Sequence, residues 1–293
     1  MFSGLSTPAR FLIHTNILVS LAAVFLTLQT QVQLGMKPQL YPYLFIIFSA
    51  SFLAYNMQAV IAIMDWRHRT SDNFQKREIQ NRRLHRMLLI ISIAVFFGAI
   101  LLAKQKIVAT LVPLSILTLC YSFPMLKTKR AFFRLREVPF LKIFLISLIW
   151  SMVTVLLPTL HASDDVNRKQ LMLMLGERFL LIFAIAIPFD VRDMKTDEIA
   201  KLKTIPLVIG KTNAVVLANT SLLAFILISI VHFSFNDLSF VLPALIISVV
   251  VIMVLINSKA WVTSPTYYSL LDGTMILQGS LVCLCYYLNS WIA

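Results

Sequence analysis

Three aspartates follow a long apolar stretch and are spaced to share one side of a helix. The chain reads Asp190-Val191-Arg192-Asp193, with Asp197 one turn further on, directly after an apolar run. If a helix continues through them, side chains separated by three, four and seven positions lie on one face. Stacked carboxylates supply the hard oxygen ligands that Mg²⁺ takes together with substrate phosphates. The spacing therefore predicts a magnesium site formed by Asp190, Asp193 and Asp197, the alternative being solvated residues at a helix end.

The elements that position these aspartates are predicted to be membrane helices. The chain has 293 residues, of which 59% are hydrophobic and 13% charged, whereas soluble globular proteins carry about 25% charged residues. An integral membrane protein follows, and helices are the expected way for apolar runs of this length to cross a bilayer. The first run lacks a small-residue cleavage site and is interpreted as a retained helix. The nine apolar segments are 11–30, 40–64, 87–103, 107–126, 140–160, 171–189, 214–235, 238–256 and 270–292.

Lysine and arginine are concentrated in alternate loops between these segments. The chain has a formal net charge of +13, and the loops after the second, fourth and sixth segments hold most of the cations. By the positive-inside rule these loops and the N-terminus lie in the cytoplasm and the C-terminus outside, which suggests a plasma or inner membrane location. Topology and attraction to anionic lipid account for the charge, so nucleic-acid binding is not expected.

The basic loops and the aspartates are predicted to lie on the same side of the membrane. Lysine and arginine, together with carboxylate-bound Mg²⁺, are suited to hold a diphosphate. The apolar helices offer an interior for a hydrocarbon tail, where each buried CH₂ contributes about 0.8 kcal/mol. An isoprenoid diphosphate fits this combination of a cationic rim and an apolar interior.

Two motifs carry a resemblance to a known family. The three aspartates are followed by Thr204, Pro206 and Gly210, and the fourth segment ends in Tyr121-Ser122-Phe123-Pro124-Met125-Leu126-Lys127. Together these elements resemble the UbiA-type intramembrane aromatic prenyltransferases. The resemblance implies an all-α bundle of about nine transmembrane helices, a single domain over 1–293, with a cavity open near the cytoplasmic face.

The chain departs from the family pattern in the first aspartate motif at the end of the second segment. Asn56 matches the family's Asn, but the positions where aspartates are expected hold Met57, Val60 and Met64. Asp65 follows nine residues after Asn56, about 900° of helix rotation, and so faces the opposite side of a regular helix. The nearby Asn81-Arg82-Arg83-Leu84 resembles a phosphate-binding segment of the family. One metal site is therefore expected to be weakened or lost.

The resemblance assigns roles to individual residues. It implies a Mg²⁺-dependent transfer from a prenyl diphosphate to a lipophilic aromatic or quinone-precursor acceptor, with membrane lipid around the bundle. The metal ligands would be Asp190, Asp193 and Asp197, with Asp193, Asp197 and Lys127 as catalytic residues. Substrate binding would fall to Asn56, Arg82, Tyr121, Arg192 and Lys203.

Several interpretations of these residues remain open. The alternative role for Asn56 is a hydrogen bond to another helix, and for Lys127 and Tyr121 it is anchoring at the membrane interface. Glu177 and Arg178 lie inside the sixth segment and are expected to pair with other helices or to extend outward. The missing first motif leaves room for a non-catalytic relative that binds a lipid phosphate or acts as a scaffold.

Overall fold

The structure, a computed structural model, describes residues 15–67, 82–127, 132–162, 166–233, 238–258 and 265–292. For positions 58–67, 82–85, 126, 127, 132, 265, 266 and 292, only the backbone is described. The helices are α1 (Ile17–Gln33), α2 (Pro42–Arg67), α3 (Arg82–Leu102), α4 (Gln105–Ser122), α5 (Leu141–Ala162), α6 (Arg168–Ile199), α7 (Ile205–Ile209), α8 (Lys211–Phe233), α9 (Leu242–Asn257) and α10 (Pro265–Ile292).

The fold is all-α, as predicted, apart from one short hairpin. Two-residue strands β1 (Leu126–Lys127) and β2 (Phe132–Phe133) pair antiparallel between α4 and α5. Six of the described helices are long and apolar enough to cross a membrane, namely α4, α5, α6, α8, α9 with its preceding turn, and α10. Apolar stretches of α1, α2 and α3 are shorter. The described residues therefore confirm a multi-pass membrane protein without confirming the count of nine spans.

The helices pack into two adjoining apolar cores that α1 joins. Residues of α1, α5, α6, α8, α9 and α10 form the larger core, which includes Leu26, Leu181, Phe225 and Leu271. The smaller core combines α1 with α2, α3, α4 and the end of α5. Many large apolar side chains are exposed on the outside of the bundle, as expected for helices that face lipid rather than water.

Helix α6 positions the aspartates because it does not stop at the end of its apolar run. Its 32 residues correspond to about 48 Å, which exceeds a hydrocarbon core of about 30 Å. The helix continues through Pro188, whose ring removes one backbone hydrogen bond, and ends at Ile199. The three aspartates therefore lie on one continuous helix, as the sequence-based prediction requires. The last turns of α6 extend past the apolar part of the bundle.

Buried polar groups connect α1 to the opposite half of α6. Glu177 accepts a 3.0 Å hydrogen bond from Nε2 of Gln33 and lies 2.9 Å from Nδ1 of His232. Arg178 donates from Nη2 to Oγ1 of Thr30 at 3.1 Å. The prediction that Glu177 and Arg178 pair with other helices is confirmed. These bonds lower the cost of the polar groups in an apolar setting, although Nη1 of Arg178 is buried without a hydrogen-bond partner among the described residues.

Candidate functional site

The site is built around the last three turns of α6. Asp190 and Asp197 are buried, whereas the side chain of Asp193 is 34% exposed. Seven residues amount to 700° of helix rotation, so Asp190 and Asp197 point within about 20° of each other, while Asp193 is turned about 60° away. The three carboxylates therefore divide into a buried pair and a separate, more accessible member.

Lys142 joins the buried pair from the neighbouring helix. Its Nζ lies 2.9 Å from Oδ1 of Asp190 and 3.2 Å from Oδ2 of Asp197. Lys142 is the second residue of α5, where a cation is disfavoured by the helix dipole. Contact with two carboxylates compensates for that position. The ammonium thus stands between the two carboxylates that the sequence predicts as metal ligands.

Asp193 interacts with a different cation. Nε of Arg192 donates to Oδ1 of Asp193 at 2.7 Å, and Nη2 donates to Oδ2 at 3.0 Å. The guanidinium also lies over two aromatic rings, at 5.2 Å from the centroid of Phe189 and 4.7 Å from that of Tyr268. Cation–π contacts of this kind orient a guanidinium. Arg192 is consequently held at the rim of the site while remaining 45% exposed.

Tyr121 and Arg136 complete the surroundings of the buried pair. Tyr121 is buried near the end of α4 and interacts electrostatically with Lys142, Asp190 and Asp197. Arg136, in the short turn before α5, interacts with Asp197. The end of α4, the turn before α5, and α5 itself therefore bring charged or hydroxyl groups to the end of α6.

The Thr-Pro-Gly sequence after α6 has a structural explanation. Helix α6 ends at Ile199, and a turn then leads to Thr204, which precedes the short helix α7. Pro206 lies in the first turn of α7, where its missing N–H is harmless, and Gly210 follows with φ at 80°, a value that favours glycine. These residues reverse the chain from α6 to α8. Oγ1 of Thr204 is buried without a hydrogen-bond partner among the described residues.

Among the remaining predicted site residues, the side chains of Asn56 and Lys203 are described, whereas only the backbone is described at Arg82 and Lys127. Asn56 is buried, accepts a hydrogen bond from Nδ2 of Asn16 at 3.2 Å, and donates to the carbonyls of Thr15 and Phe52. These contacts match the interhelical interpretation of Asn56. Lys203 is exposed in the turn after α6. Lys127 forms β1 and Arg82 begins α3, but their side chains lie outside the described part, as do Asn81 and the side chains at positions 60, 64 and 65.

Lys142 is the site residue that sequence reasoning missed. In the sequence, Lys142 is one of several cations near the start of the fifth apolar segment. Two signals were available, namely a cation in the first turn of an apolar helix and a pair of aspartates seven residues apart elsewhere in the chain. A buried charge requires a partner of opposite charge, and here the lysine and the two aspartates are each other's partners.

Comparisons with known proteins identify the family of this chain. The model of the UbiA prenyltransferase family matches residues 62–266, which is more than half of the chain. The chain belongs to the UbiA prenyltransferase family. No curated protein sequence matches it. The UbiA assignment therefore rests on the family model, and the solved structures described next add the fold.

Solved UbiA homologues share the fold at low sequence identity. A homologue from Archaeoglobus fulgidus bound to GPP and Mg²⁺ has a TM-score of 0.61 at 15% identity, covering 92% of this chain and 99% of its own. The apo structure of a homologue from Aeropyrum pernix K1 has a TM-score of 0.61 at 14% identity, covering 91% and 97%. A digeranylgeranylglyceryl phosphate synthase has a TM-score of 0.53 at 13% identity, covering 95% and 96%.

Proposed function

We propose that this UbiA family member transfers an isoprenoid chain from a prenyl diphosphate to a lipophilic acceptor, an aromatic compound or quinone precursor, with Mg²⁺ as cofactor. Membership of the family supports prenyl transfer as the class of reaction. The observation that carries the site assignment is the meeting of Asp190 and Asp197 with Lys142 at the end of α6. Charge of both signs concentrated beside an apolar bundle suits a substrate with an anionic head and a hydrocarbon tail.

The cations around α6 would receive the diphosphate. Transfer breaks the bond between the allylic carbon and the diphosphate oxygen, while the acceptor forms a new bond to that carbon and loses a proton. Negative charge develops on the departing diphosphate, and positioned cations stabilise it. Arg192 lies at the rim for this purpose, and we assign Arg82, Lys127 and Lys203 to the same role. The tail would extend between the apolar helices.

The donor set fits magnesium only in part. Oδ2 of Asp190 is buried without a hydrogen-bond partner among the described residues, and carboxylate oxygens are ligands that Mg²⁺ prefers. However, Oδ1 of Asp190 and Oδ2 of Asp197 are within reach of Lys142, and within the described residues no three acidic, histidine or cysteine side chains form a group able to hold a metal ion. Asp193 and Oδ2 of Asp190 are the predicted ligands that Lys142 does not contact, and they would hold the ion if Arg192 leaves Asp193 for the diphosphate. The ion would neutralise charge on the diphosphate.

The proposed orientation follows the distribution of cations. The N-terminus and the end of α6 would face the cytoplasm, and the C-terminus would lie outside, in a plasma or inner membrane. A substrate with a charged head would then reach the site from the cytoplasmic side.

A non-catalytic relative is the second candidate. Val60 and Met64 replace aspartates of the first family motif in the sequence, and a lysine neutralises part of the second. A protein of this kind would bind a lipid phosphate, or act as a membrane scaffold, without transferring a prenyl group.

Thermal stabilisation of the purified protein by non-reactive prenyl thiodiphosphates distinguishes the two. A ligand that binds the native state raises its stability by mass action. We expect a Mg²⁺-dependent rise in Tm that Asp193→Asn removes and Glu198→Gln, an exposed neighbour on the same helix, retains. A rise followed by prenyl transfer in an acceptor screen supports the enzyme. No rise at any chain length contradicts both diphosphate binding and the enzyme.

A further inference from the structure

Lys142 lies between two carboxylates that the sequence predicts as metal ligands. Its ammonium contacts Asp190 at 2.9 Å and Asp197 at 3.2 Å. All three side chains are largely buried, with exposed fractions of 17% for Lys142, 4% for Asp190 and 9% for Asp197. A cation that bridges two carboxylates from within the protein carries out the charge neutralisation that a bound metal would otherwise supply.

The arrangement leaves one donor of Lys142 available. An ammonium has three N–H donors and no acceptor. Two of these are directed to the carboxylates, and the described residues supply no further acceptor for the third. A phosphate oxygen fits that third direction, because an ammonium binds phosphate as a point charge. The lysine can therefore connect the carboxylate pair to an anion, as a metal ion does.

A second cation between the same carboxylates would meet strong repulsion. Lys142 already places one positive charge within contact distance of both anions, and charges a few ångströms apart interact strongly where water is excluded. Lysine is anchored through its covalent stem, so its local concentration does not depend on the solution. A divalent ion must displace it to use both carboxylates.

We infer that Lys142 is a resident cation that takes the place of a divalent metal between Asp190 and Asp197 and binds the diphosphate of the substrate directly. The identity of the anion rests on the proposed function, whereas the exclusion of metal from this pair does not. Magnesium would then be required only outside this pair, with Asp193 and the buried Oδ2 of Asp190 as its candidate ligands. Lys142 is a binding residue that also sets how much metal the site uses.

Metal binding without any substrate tests the exclusion. Lys142→Met leaves two buried carboxylates without their cation, so the variant should lose thermal stability and regain it on addition of Mn²⁺ or Mg²⁺. We expect its apparent affinity for Mn²⁺ to exceed that of the wild type by at least about tenfold. Lys195→Met, an exposed lysine on α6, should respond as the wild type does, and Lys142→Arg should continue to exclude the ion.

A triple variant keeps the test decisive if Lys142→Met unfolds. Lys142→Met combined with Asp190→Asn and Asp197→Asn removes the unpaired charges and should fold without responding to Mn²⁺. Restoring Asp190 and Asp197 one at a time should then restore the metal response stepwise. The inference is wrong if Lys142→Met gains no Mn²⁺ binding over the wild type, or if the wild type is stabilised by Mn²⁺ to the same extent.

The diphosphate contact has a separate measurement. At saturating Mg²⁺, Lys142→Met should bind a prenyl thiodiphosphate at least about tenfold more weakly than the wild type, and Lys142→Arg should recover part of the loss. Equal binding by wild type and Lys142→Met would overturn the direct contact. A gain of Mn²⁺ binding in Lys142→Met with no thiodiphosphate binding in the wild type would leave the resident cation standing and remove the proposed function.

Discussion

The backbone N–H of Phe140 donates a 2.9 Å hydrogen bond to the carbonyl of Lys203. This bond ties the turn after α6 to the residue before α5. The same turn folds back on α6, since the N–H of Leu202 bonds to the carbonyl of Asp197 at 2.9 Å. Two backbone hydrogen bonds therefore hold the first turn of α5 level with the last turns of α6. Lys142 reaches both aspartates because these helix ends are fixed to each other.

Lys201 in that turn has φ at 56°, a left-handed conformation that costs a non-glycine residue about 1–2 kcal/mol. Lys201→Gly should therefore raise the free energy of unfolding by about 0.5–1 kcal/mol. Thermal unfolding in detergent measures the change. Lys195→Gly, inside α6, is the matched control and should lower stability by about 1 kcal/mol. A loss of stability in Lys201→Gly would contradict the strain.

Gly279 lies where α10 packs directly against the backbone of α1. A Cβ at this position would overlap the backbone carbonyl of Phe25, whereas a Cβ on Gly273, in the same helix, would meet nothing within 4 Å. Small residues allow helices in membranes to approach closely. Gly279→Ala should therefore cost about 1–3 kcal/mol through overpacking, and Gly273→Ala should leave Tm unchanged or slightly higher. Equal Tm values for the two variants would show that α1 and α10 separate without cost.

Glu177 is a structural residue by its contacts. Glu177→Ala leaves Gln33 and His232 without their shared acceptor and should destabilise the protein by about 1–3 kcal/mol. A double-mutant cycle with Gln33→Ala should give a coupling between about 0.6 kcal/mol, the average for hydrogen bonds between membrane helices, and about 1.7 kcal/mol, the largest such value. Prenyl thiodiphosphate affinity should be retained in the folded fraction. A selective loss of ligand binding without loss of Tm would assign Glu177 to the site instead.

The carboxylates of α6 should differ in what their replacement does. Asp193→Asn removes an accessible ligand and should lower prenyl-transfer turnover by at least about a hundredfold with little change in Tm, because Asp193 is partly exposed. Asp197→Asn should also abolish turnover, and it should in addition change Tm because it removes one partner of Lys142. A steady-state transfer assay beside thermal unfolding measures both. Full turnover in both variants would contradict the site.

Removal of magnesium should stop transfer while leaving the protein folded. Since Lys142 neutralises Asp190 and Asp197 from within the chain, a chelator should abolish turnover without lowering the Tm of the substrate-free wild type. Tm before and after chelation, in the absence of any prenyl diphosphate, measures this. A chelator-induced fall in Tm would show that a metal stabilises the resting protein.

Hydropathy predicts most of the helices but not their ends. The apolar run at 171–189 ends where charged residues begin, yet α6 continues to Ile199 because its polar turns bind Lys142 and the following loop. Hydropathy also treats Lys142 as a marker of topology, since its partners lie about fifty residues away along the chain. Asn56 shows the same limit, because its bonds to Asn16 and Thr15 depend on how α1 packs against α2.

The turn formed by Thr204, Pro206 and Gly210 after α6 can be predicted from residue types alone. Pro206 and Gly210 have the residue types that a helix start and a turn with positive φ require, so local rules suffice for them. The division of the three aspartates into a buried pair and an accessible member was not predictable. It depends on the direction from which α5 approaches α6, which no local rule supplies.

Helix α5 contains a π-helical segment at Met152–Leu156, between Lys142 and the far end of the helix. A π turn accommodates one residue more than an α-helical path of the same course. Deleting one residue there would convert the π turn to an α turn and keep Lys142 facing the same way relative to the outer half, whereas a deletion in the regular part of the helix would turn it by about 100°. An alignment of relatives that treats this helix as ungapped would then pair Lys142 with the wrong column. Positions near Lys142 in related chains are therefore matched by counting from Phe140, and positions in the outer half of α5 by counting from Leu157.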